Sequence, residues 1–428
     1  MLGAIGFFLV ILFLGMPVAF AIAVSGFAFF LTRPEIPWTI LVQRSLSTTQ
    51  SFTMLAIPLF IFAGNLMNNT GITSRLVKLA NVLTGHMYGS IGQVSVVLST
   101  LMGGVSGSAV ADAAMECRIL GPEMTQRGYA PGWAAAVNCL SGLIVATIPP
   151  SMGLILYGTV GEVSIGRLFV AGFVPGIIMC ILMMGATSWS ARHYGYKPDH
   201  EKPSSAAEIG KACIESIWAL MFPVLLIIFI RFGVMTPSES GAFAVFYALF
   251  VGIFIYRTLK WRELLAIVVD SGKQTGAVMW TVGNAALMSW VLSVSGISGA
   301  LSNFVVAISG GHTVIFLIVV NIVILIAGCF IDGNSIMYIF VPIFLPVALQ
   351  LGYSPIVLGV VLVMNVAIGM VTPPVGCNLY VACGVSGIQV KEIIKPVVPY
   401  IVASCITLLL VTYIPQITLF LPQILGQI

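Results

Sequence analysis

The sequence predicts an all-α polytopic membrane protein. Of its 428 residues, 59% are hydrophobic and 7% are charged, and the mean hydropathy is +1.09, whereas soluble domains carry about 25% charged residues. Runs such as 2–31 and 399–422 are long enough to cross a bilayer, which takes about 20 apolar residues. The alternating pattern of a membrane β-barrel does not occur, and a helix is the other structure that satisfies the backbone in lipid. About 11 spanning helices are expected from the length of a typical crossing.

Charged residues indicate which loops share a face of the membrane. The stretch 190–216 is the longest charged segment, and the next basic cluster lies at 257–262. Two apolar segments, about 217–232 and 239–256, separate the two clusters, so both clusters lie on one face. The positive-inside rule predicts that this face is cytoplasmic. The net charge of +4 is spread over loops and does not indicate a nucleic-acid partner.

Several short sequence motifs occur twice in the chain, at a nearly constant separation. The motif GYAP at 128–131 recurs as GYSP at 352–355, which is 224 residues further along the chain. The pairs Pro149-Pro150 and Pro373-Pro374 are separated by the same 224 residues. A constant offset predicts a duplication, with a first repeat at 1–190, a polar linker loop at 191–215 and a second repeat at 216–428. An odd number of crossings between equivalent points would make the repeats inverted, and the segment boundaries leave this open.

Each half contains a Pro-Pro pair inside an apolar stretch, in TIPPSMG at 147–153 and in TPPVG at 372–376. Proline has no N–H to donate and clashes with the preceding turn, so both pairs are expected to break a helix. Duplicated halves with broken helices in equivalent places are typical of secondary transporters, whose unwound carbonyl groups bind cations and whose half-helix N-termini face anions. Ordinary proline kinks are the alternative for either pair taken alone.

Two glycine- and serine-rich segments, 101–124 and 327–346, are predicted to be the tips of re-entrant hairpins, each facing its own Pro-Pro loop. Ionisable residues inside membrane segments indicate function, and hydroxyl and carbonyl oxygens suit Na⁺. The candidate cation ligands are Ser106, Ser108, Thr147, Pro149 and Pro150 at one site and Gly328, Asp332, Thr372 and Pro373 at the other. The candidate contacts to a polar solute are Asp112, Asn138, Ser141, Asn334, Ser335, Asn365 and Asn378.

Purely structural roles are the alternatives for these residues. Ser106 and Ser108 are also typical of small-residue helix packing, and each asparagine alone is equally consistent with an interhelical hydrogen bond. Asp112 would balance the charge of a cation or hold the hairpin tip, and the alternative is a hydrogen bond at the lipid edge or between helices.

Two other function classes compete with a transporter. The residues GVSG at 104–107 match the serine motif of rhomboid-type intramembrane proteases, which need a histidine base. The four histidines lie in predicted loops or at a helix start, and a protease does not explain the duplication. A channel is disfavoured because rings of charge and a filter repeat are not visible.

The segments GGVSGSAVADAA, CFIDGNS and MVTPPVGCNLYVACG, together with the paired Pro-Pro loops, resemble the large membrane subunit of tripartite ATP-independent periplasmic (TRAP) transporters. The resemblance covers essentially the whole chain, and the sequence is most similar to the sialic-acid branch of the family. It implies inverted repeats and an elevator-type secondary transporter of the bacterial inner membrane, driven by two or more Na⁺. It also implies that Ser106, Ser108 and Asp112 lie at the first hairpin tip and Asp332 at the second.

The expected activity is Na⁺-coupled import of an organic acid, sialic acid first and a C4-dicarboxylate next. By the same resemblance, a periplasmic binding protein delivers the acid and a small four-helix membrane subunit, expected as a separate chain, completes the complex. A stand-alone Na⁺/dicarboxylate symporter without a binding protein is the alternative. An elevator divides the chain into a scaffold, about 1–80 and 216–300, and a transport part, about 86–190 and 310–428.

Overall fold

The computed structural model describes residues 3–104 and 107–427, and the regular structure in these ranges is helical, which confirms the predicted class. A 3₁₀ turn at Phe52–Leu55 precedes α4, and a π-helical turn at Val251–Ile255 follows α14. The α-helices are α1 (Gly3–Phe13), α2 (Val18–Leu31), α3 (Thr39–Thr49), α4 (Ala56–Asn69), α5 (Ile72–Thr84), α6 (Ser90–Gly103), α7 (Ala109–Ile119), α8 (Gly121–Gln126), α9 (Pro131–Thr147), α10 (Met152–Val160), α11 (Ile165–His193), α12 (Ala206–Glu215), α13 (Ile217–Arg231), α14 (Pro237–Phe250), α15 (Trp261–Val294), α16 (Ile297–Ser309), α17 (Thr313–Phe330), α18 (Gly333–Gln350), α19 (Pro355–Gly369), α20 (Cys377–Ser386), α21 (Val390–Tyr413) and α22 (Pro415–Ile424).

Within the described ranges, seven helical segments are long and apolar enough to cross a membrane, and two bent helix pairs bring the total to nine. This is fewer than the roughly 11 expected from the length of a typical crossing. The difference arises because apolar runs are divided into shorter helices. The run 2–31 splits into α1 and α2 around Gly15, whose φ of +89° is in the left-handed region, and α6 and α19 each span fewer than 18 residues.

The repeated GYxP motif forms the same local structure in both halves. Gly128 and Gly352 adopt left-handed φ angles of +86° and +70°, which glycine tolerates because it has no Cβ. Pro131 and Pro355 then occupy the first turn of α9 and α19, where a missing N–H leaves no helical hydrogen bond unmade. The duplicated sequence therefore starts equivalent helices at equivalent positions, while the relative orientation of the two halves stays a prediction.

The helices form two packed groups, which are joined where α15 packs against α18 and α5 packs against α6. The long helix α15 packs against α2, α3 and α4, and α14 packs against α4; Asn65 donates from α4 to Ser271 Oγ on α15 at 2.9 Å. The second group interleaves both halves, because α9 and α11 pack against α19 and α21, and α10 packs against α18. Here the Tyr157 hydroxyl of α10 donates to the Pro355 carbonyl at the start of α19 at 2.6 Å.

The linker crosses the ends of several helices on one face of the molecule. Arg127 donates to Asp199 Oδ2 at 2.6 Å, and the Tyr196 hydroxyl accepts from the Ala130 N–H at 2.8 Å just before α9. The predicted linker 191–215 also contains a helix, α12, which is bent by 68° from α13. These bonds place the loop between α8 and α9 on the linker face.

Glycines bring helices α17 and α19 into backbone contact. A Cβ built on Gly369 would lie 2.7 Å from Gly328 Cα, and a Cβ built on Gly328 would lie 2.9 Å from Gly369 Cα. Small residues promote helix association in lipid because packing, and not hydrophobicity, holds the helices together there. This contact sets the position of the second Pro-Pro loop, which follows α19 directly.

Gly369→Ala is expected to destabilise the protein by about 1–3 kcal/mol, the usual cost of overpacking a close contact. Thermal unfolding of the purified protein in detergent measures the effect. Gly384→Ala is the matched control, since a Cβ there meets nothing within 4 Å. Equal unfolding temperatures for the two variants would contradict a close α17–α19 contact.

Candidate functional site between two helix breaks

The first helix break brings the end of α6, the start of α7 and the Pro-Pro loop together. Gly107 has a φ of +63°, and a Cβ there would lie 2.3 Å from the Pro150 carbonyl oxygen. The Gly107 carbonyl accepts from the Met152 N–H at 3.3 Å. Helices α9 and α10 bend by 41° across the loop, whose Pro149-Pro150 bond is cis. The first tip therefore faces its own Pro-Pro loop, as predicted.

Serine caps hold the two helices that start at this break. Ser108 precedes α7, and its Oγ accepts from the Ala111 N–H at 3.4 Å. Ser151 precedes α10, and its Oγ accepts from the Leu154 N–H at 3.3 Å and donates to the Ala146 carbonyl at 2.5 Å. An N-cap oxygen satisfies an N–H that the helix leaves without a partner.

The second break has the same organisation in the second half. Asp332 caps α18: its carboxylate accepts from the Ser335 N–H at 3.1 Å and from the Ser335 hydroxyl at 2.7 Å. The Gly376 N–H, at the end of the loop that contains the cis Pro373-Pro374 bond, donates to the Cys329 carbonyl at 3.1 Å. The second tip therefore also contacts its own Pro-Pro loop.

A cavity of about 260 Å³ lies between the two breaks. The first turns of α7, α10 and α18 all reach it, through Ala109, Met152 and Gly333 respectively. Three helix N-termini thus meet at one cavity, and each carries partial positive charge. Its wall is completed by α9, α15 and α19, and the full lining is Gly107, Ser108, Ala109, Val110, Ala146, Met152, Gly153, Val278, Asp332, Gly333, Asn334, Met337, Val363, Val366, Ala367 and Met370.

The predicted cation ligands lie around these breaks. Ser106 falls outside the described residues, and Ser108 and Asp332 line the cavity. Thr147 is buried at the end of α9, Pro149 and Pro150 are buried in the first loop, and Gly328, Thr372 and Pro373 lie at the second break. The hydroxyl of Thr147 is buried with no hydrogen-bond partner among the described residues, while that of Thr372 donates to the Ile368 carbonyl at 2.7 Å.

The predicted solute contacts are more scattered. Asn334 lines the cavity. Ser335 is not part of the lining, and its hydroxyl donates to Asp332 Oδ1. Asn365 donates to Asn321 Oδ1 at 2.9 Å, which joins α19 to α17 as an interhelical bond. The side-chain amide of Asn378 is fully buried, and neither its nitrogen nor its oxygen has a partner within the described part of the chain.

Two other predicted contacts, Asp112 and Ser141, belong to a fully buried polar group built around Glu116, and the third, Asn138, is buried on α9 three residues before Ser141. The group is defined by Ser95, Ser99, Asp112, Glu116 and Ser141. Ser99 Oγ lies 2.7 Å from both Asp112 Oδ2 and Glu116 Oε1, Ser141 Oγ lies 2.8 Å from Glu116 Oε2, and Ser95 also contacts Glu116 Oε2. We call these five residues the carboxylate cluster.

Sequence reasoning missed Glu116 as a partner of Asp112. The signal was present, because residues four apart share one face of a helix, and Glu116 follows Asp112 by four in an apolar segment. The roles of Ser95 and Ser99 depend on how α6 packs beside α7, which the sequence does not state.

Comparisons with known proteins agree with this architecture. The family model described as the tripartite ATP-independent periplasmic transporter, DctM component, matches residues 5–417. The C4-dicarboxylate TRAP transporter large permease protein DctM of Rhodobacter capsulatus is 33% identical over 99% of this chain and 98% of its own length. The sialic acid TRAP transporter large permease protein SiaM of Vibrio cholerae is 34% identical over 99% of both chains.

A solved structure shares the fold. The YdaH transporter of Alcanivorax borkumensis superposes with a TM-score of 0.60, covering 91% of this chain and 88% of that chain at 12% identity. At this identity the likeness concerns the fold alone. The full-length relatives are transporter permeases, which sets aside the serine-protease interpretation of 104–107. The chain therefore belongs to the DctM components of the tripartite ATP-independent periplasmic transporters, and it is a membrane permease and not an enzyme.

Proposed function

We propose that this permease imports an organic acid together with two or more Na⁺ through the cavity between the two helix breaks. The observation that carries the proposal is the convergence of three helix N-termini on one cavity that Asp332 also lines. Helix N-termini attract anions, and unwound segments beside them present oxygen ligands to cations. One cavity thus offers both kinds of contact.

The anionic group of the substrate would bind at the N-termini of α7, α10 and α18. The part of the lining that the structure describes holds Asp332 and carries no lysine, arginine or histidine. The backbone dipoles and the co-transported cations would therefore supply the positive charge. A bare carboxylate in a low-dielectric site is costly without such compensation.

The cations would bind beside the two Pro-Pro loops. Asp332 offers a carboxylate at the second break, while Ser108, Thr147 and the Pro150 carbonyl offer neutral oxygens at the first. Buried polar atoms without partners support this placement, because such atoms are rare in native proteins. Thr147 Oγ1 has no partner near the first break, and the Asn378 amide has none near the second, within the described residues.

An elevator motion is proposed from the two helix groups. The scaffold, about 1–80 and 216–300, includes α15 and the helices around it. The transport part, about 86–190 and 310–428, includes both breaks and the interleaved helices. Because both breaks belong to one packed group, the cavity would move with that group as a unit.

The substrate and partners are proposed from the relatives. Their names specify C4-dicarboxylate and sialic acid, and we place sialic acid first and a C4-dicarboxylate second. The proposed partners are a periplasmic binding protein that delivers the acid and a small four-helix membrane subunit on a separate chain. The proposed location is the bacterial inner membrane.

Reconstitution tests the proposal. Proteoliposomes containing this chain and its small membrane subunit are expected to accumulate radiolabelled sialic acid, or failing that succinate, when an inward Na⁺ gradient and the binding protein are both supplied. Uptake that ignores the Na⁺ gradient would contradict the proposed coupling. Uptake without the binding protein would favour a stand-alone symporter.

Asp332→Asn is expected to raise the Na⁺ concentration for half-maximal uptake by about tenfold or more, since loss of about 1.4 kcal/mol of ion binding is a factor of ten. Asparagine also caps helices well, so α18 should keep its start. The measurement is uptake against Na⁺ concentration. The matched control is Asp270→Asn, whose side chain is 65% exposed on α15. An unchanged Na⁺ dependence in Asp332→Asn would mean that Asp332 does not bind the ion.

A further inference from the structure

The two ends of helix α7 line two different cavities, and the carboxylate cluster lies between those ends. Ala109 and Val110, at the start of α7, line the cavity between the helix breaks. Cys117 and Arg118, at its end, line a second cavity of about 350 Å³. Asp112 and Glu116 occupy the turns in between, with exposed fractions of 1% and 0%.

The second cavity opens on the linker face. Thr125 and Pro131 also line it, and they flank Arg127 and Ala130, which bond to Asp199 and Tyr196 of the linker. The carboxylate cluster is therefore placed between the proposed substrate cavity and one surface of the protein.

A count of hydrogen atoms supports a proton in the cluster. The Ser99 hydroxyl has one hydrogen and can donate to one carboxyl group. It nevertheless lies 2.7 Å from Asp112 Oδ2 and 2.7 Å from Glu116 Oε1, and both are hydrogen-bond distances. The second contact needs another hydrogen, and a protonated carboxyl group supplies it by donating to Ser99 Oγ.

Within the described part of the chain, no cationic side chain is placed to replace this proton. In residues 3–104 and 107–427, neither carboxyl group forms an ion pair. The titratable groups near the pair are the buried thiols of Cys117 on α7, Cys139 on α9 and Cys383 on α20. On α8, Glu123 pairs with Arg127 instead, and Arg118 is exposed. Two unpaired carboxylates would be costly in this setting.

Two buried oxygen atoms at the cluster still lack a donor. Asp112 Oδ1 has no hydrogen-bond partner among the described residues, and neither has Asn138 Oδ1. Asn138 is fully buried on the same face of α9 as Ser141, three residues before it. Acceptors without donors indicate that the cluster has room for a further hydrogen, because buried polar atoms are otherwise paired.

We propose that Glu116, linked through Ser99 to Asp112, is a proton-binding site that loads and releases one proton in each transport cycle. The inference rests on the proposed function, since it assigns a further coupled ion to the same moving group. The proton enters with the substrate, is held between Glu116 and Asp112 while the transport part moves, and leaves as a hydrated proton through a cavity. No bond other than O–H forms or breaks.

The test measures substrate accumulation at equilibrium against a pH gradient. Proteoliposomes hold the complete complex and binding protein, a fixed Na⁺ gradient, and a membrane potential clamped with K⁺ and valinomycin. Coupling to one proton predicts an accumulation ratio that changes about tenfold for each unit of pH difference, since one unit is about 1.36 kcal/mol per proton. A ratio that ignores the pH gradient while Na⁺ still drives uptake would overturn the proton site and leave the proposed function standing.

Variants assign the proton to the cluster. Glu116→Gln keeps the shape of the side chain and removes the titrating group, so accumulation is expected to lose its response to the pH gradient. Ser99→Ala keeps both carboxyl groups, removes the link between them, and is expected to weaken the response. The control is Glu201→Gln, an exposed linker carboxylate, which should respond as wild type.

The remaining outcomes are also decisive. A wild-type response that persists unchanged in both cluster variants would mean that another group carries the proton. If Glu116→Gln does not fold, Ser99→Ala and the wild-type response still decide the question. Uptake driven by a pH gradient without Na⁺ would support the proton site and contradict Na⁺ coupling, while uptake with neither gradient responding would contradict both.

Discussion

Breaking a helix inside a membrane leaves backbone N–H and C=O groups without helical partners, and lipid offers none. The arrangement of this protein depends on where those groups go. At the first break the Gly107 carbonyl accepts from Met152, and Ser108 and Ser151 cap the helices that follow. At the second break Cys329 accepts from Gly376, and Asp332 caps α18. A cavity enclosed by protein lies between the two breaks, and under the proposed function an ion or an acid would bind there.

This constraint explains why the fold interleaves its two halves. A break in one half needs a wall from the other, and α10 packs against α18 while α19 packs against α9. Backbone contact between Gly328 and Gly369 lets the second tip approach its own loop. Larger side chains at these positions would push α17 and α19 apart and move the tip away from its loop.

Local chemistry made part of this architecture predictable. The GYxP motif specifies a glycine with a left-handed φ and a proline in the first turn of a helix, and each half of the chain contains both features. The serine and aspartate caps, and the pairing of each tip with its own loop, follow from helix-start signals and from the duplication. The residues that were harder to place depend on partners distant in sequence. Asn365 bonds to Asn321, 44 residues away, and Glu116 bonds to serines 17 and 21 residues away. Hydrophobic pattern specifies which face of a helix is buried, but not which polar atom lies opposite.

One wall of the cavity does not belong to the group of helices that carries both breaks. Val278 reaches it from α15, which packs against α2, α3 and α4 and also against α18. Under the proposed motion, the rest of the lining slides past this valine. A branched apolar side chain forms no directional bonds that would have to break at each passage. Val278 would therefore resist the sliding very little while it keeps an apolar surface against the moving wall of the cavity.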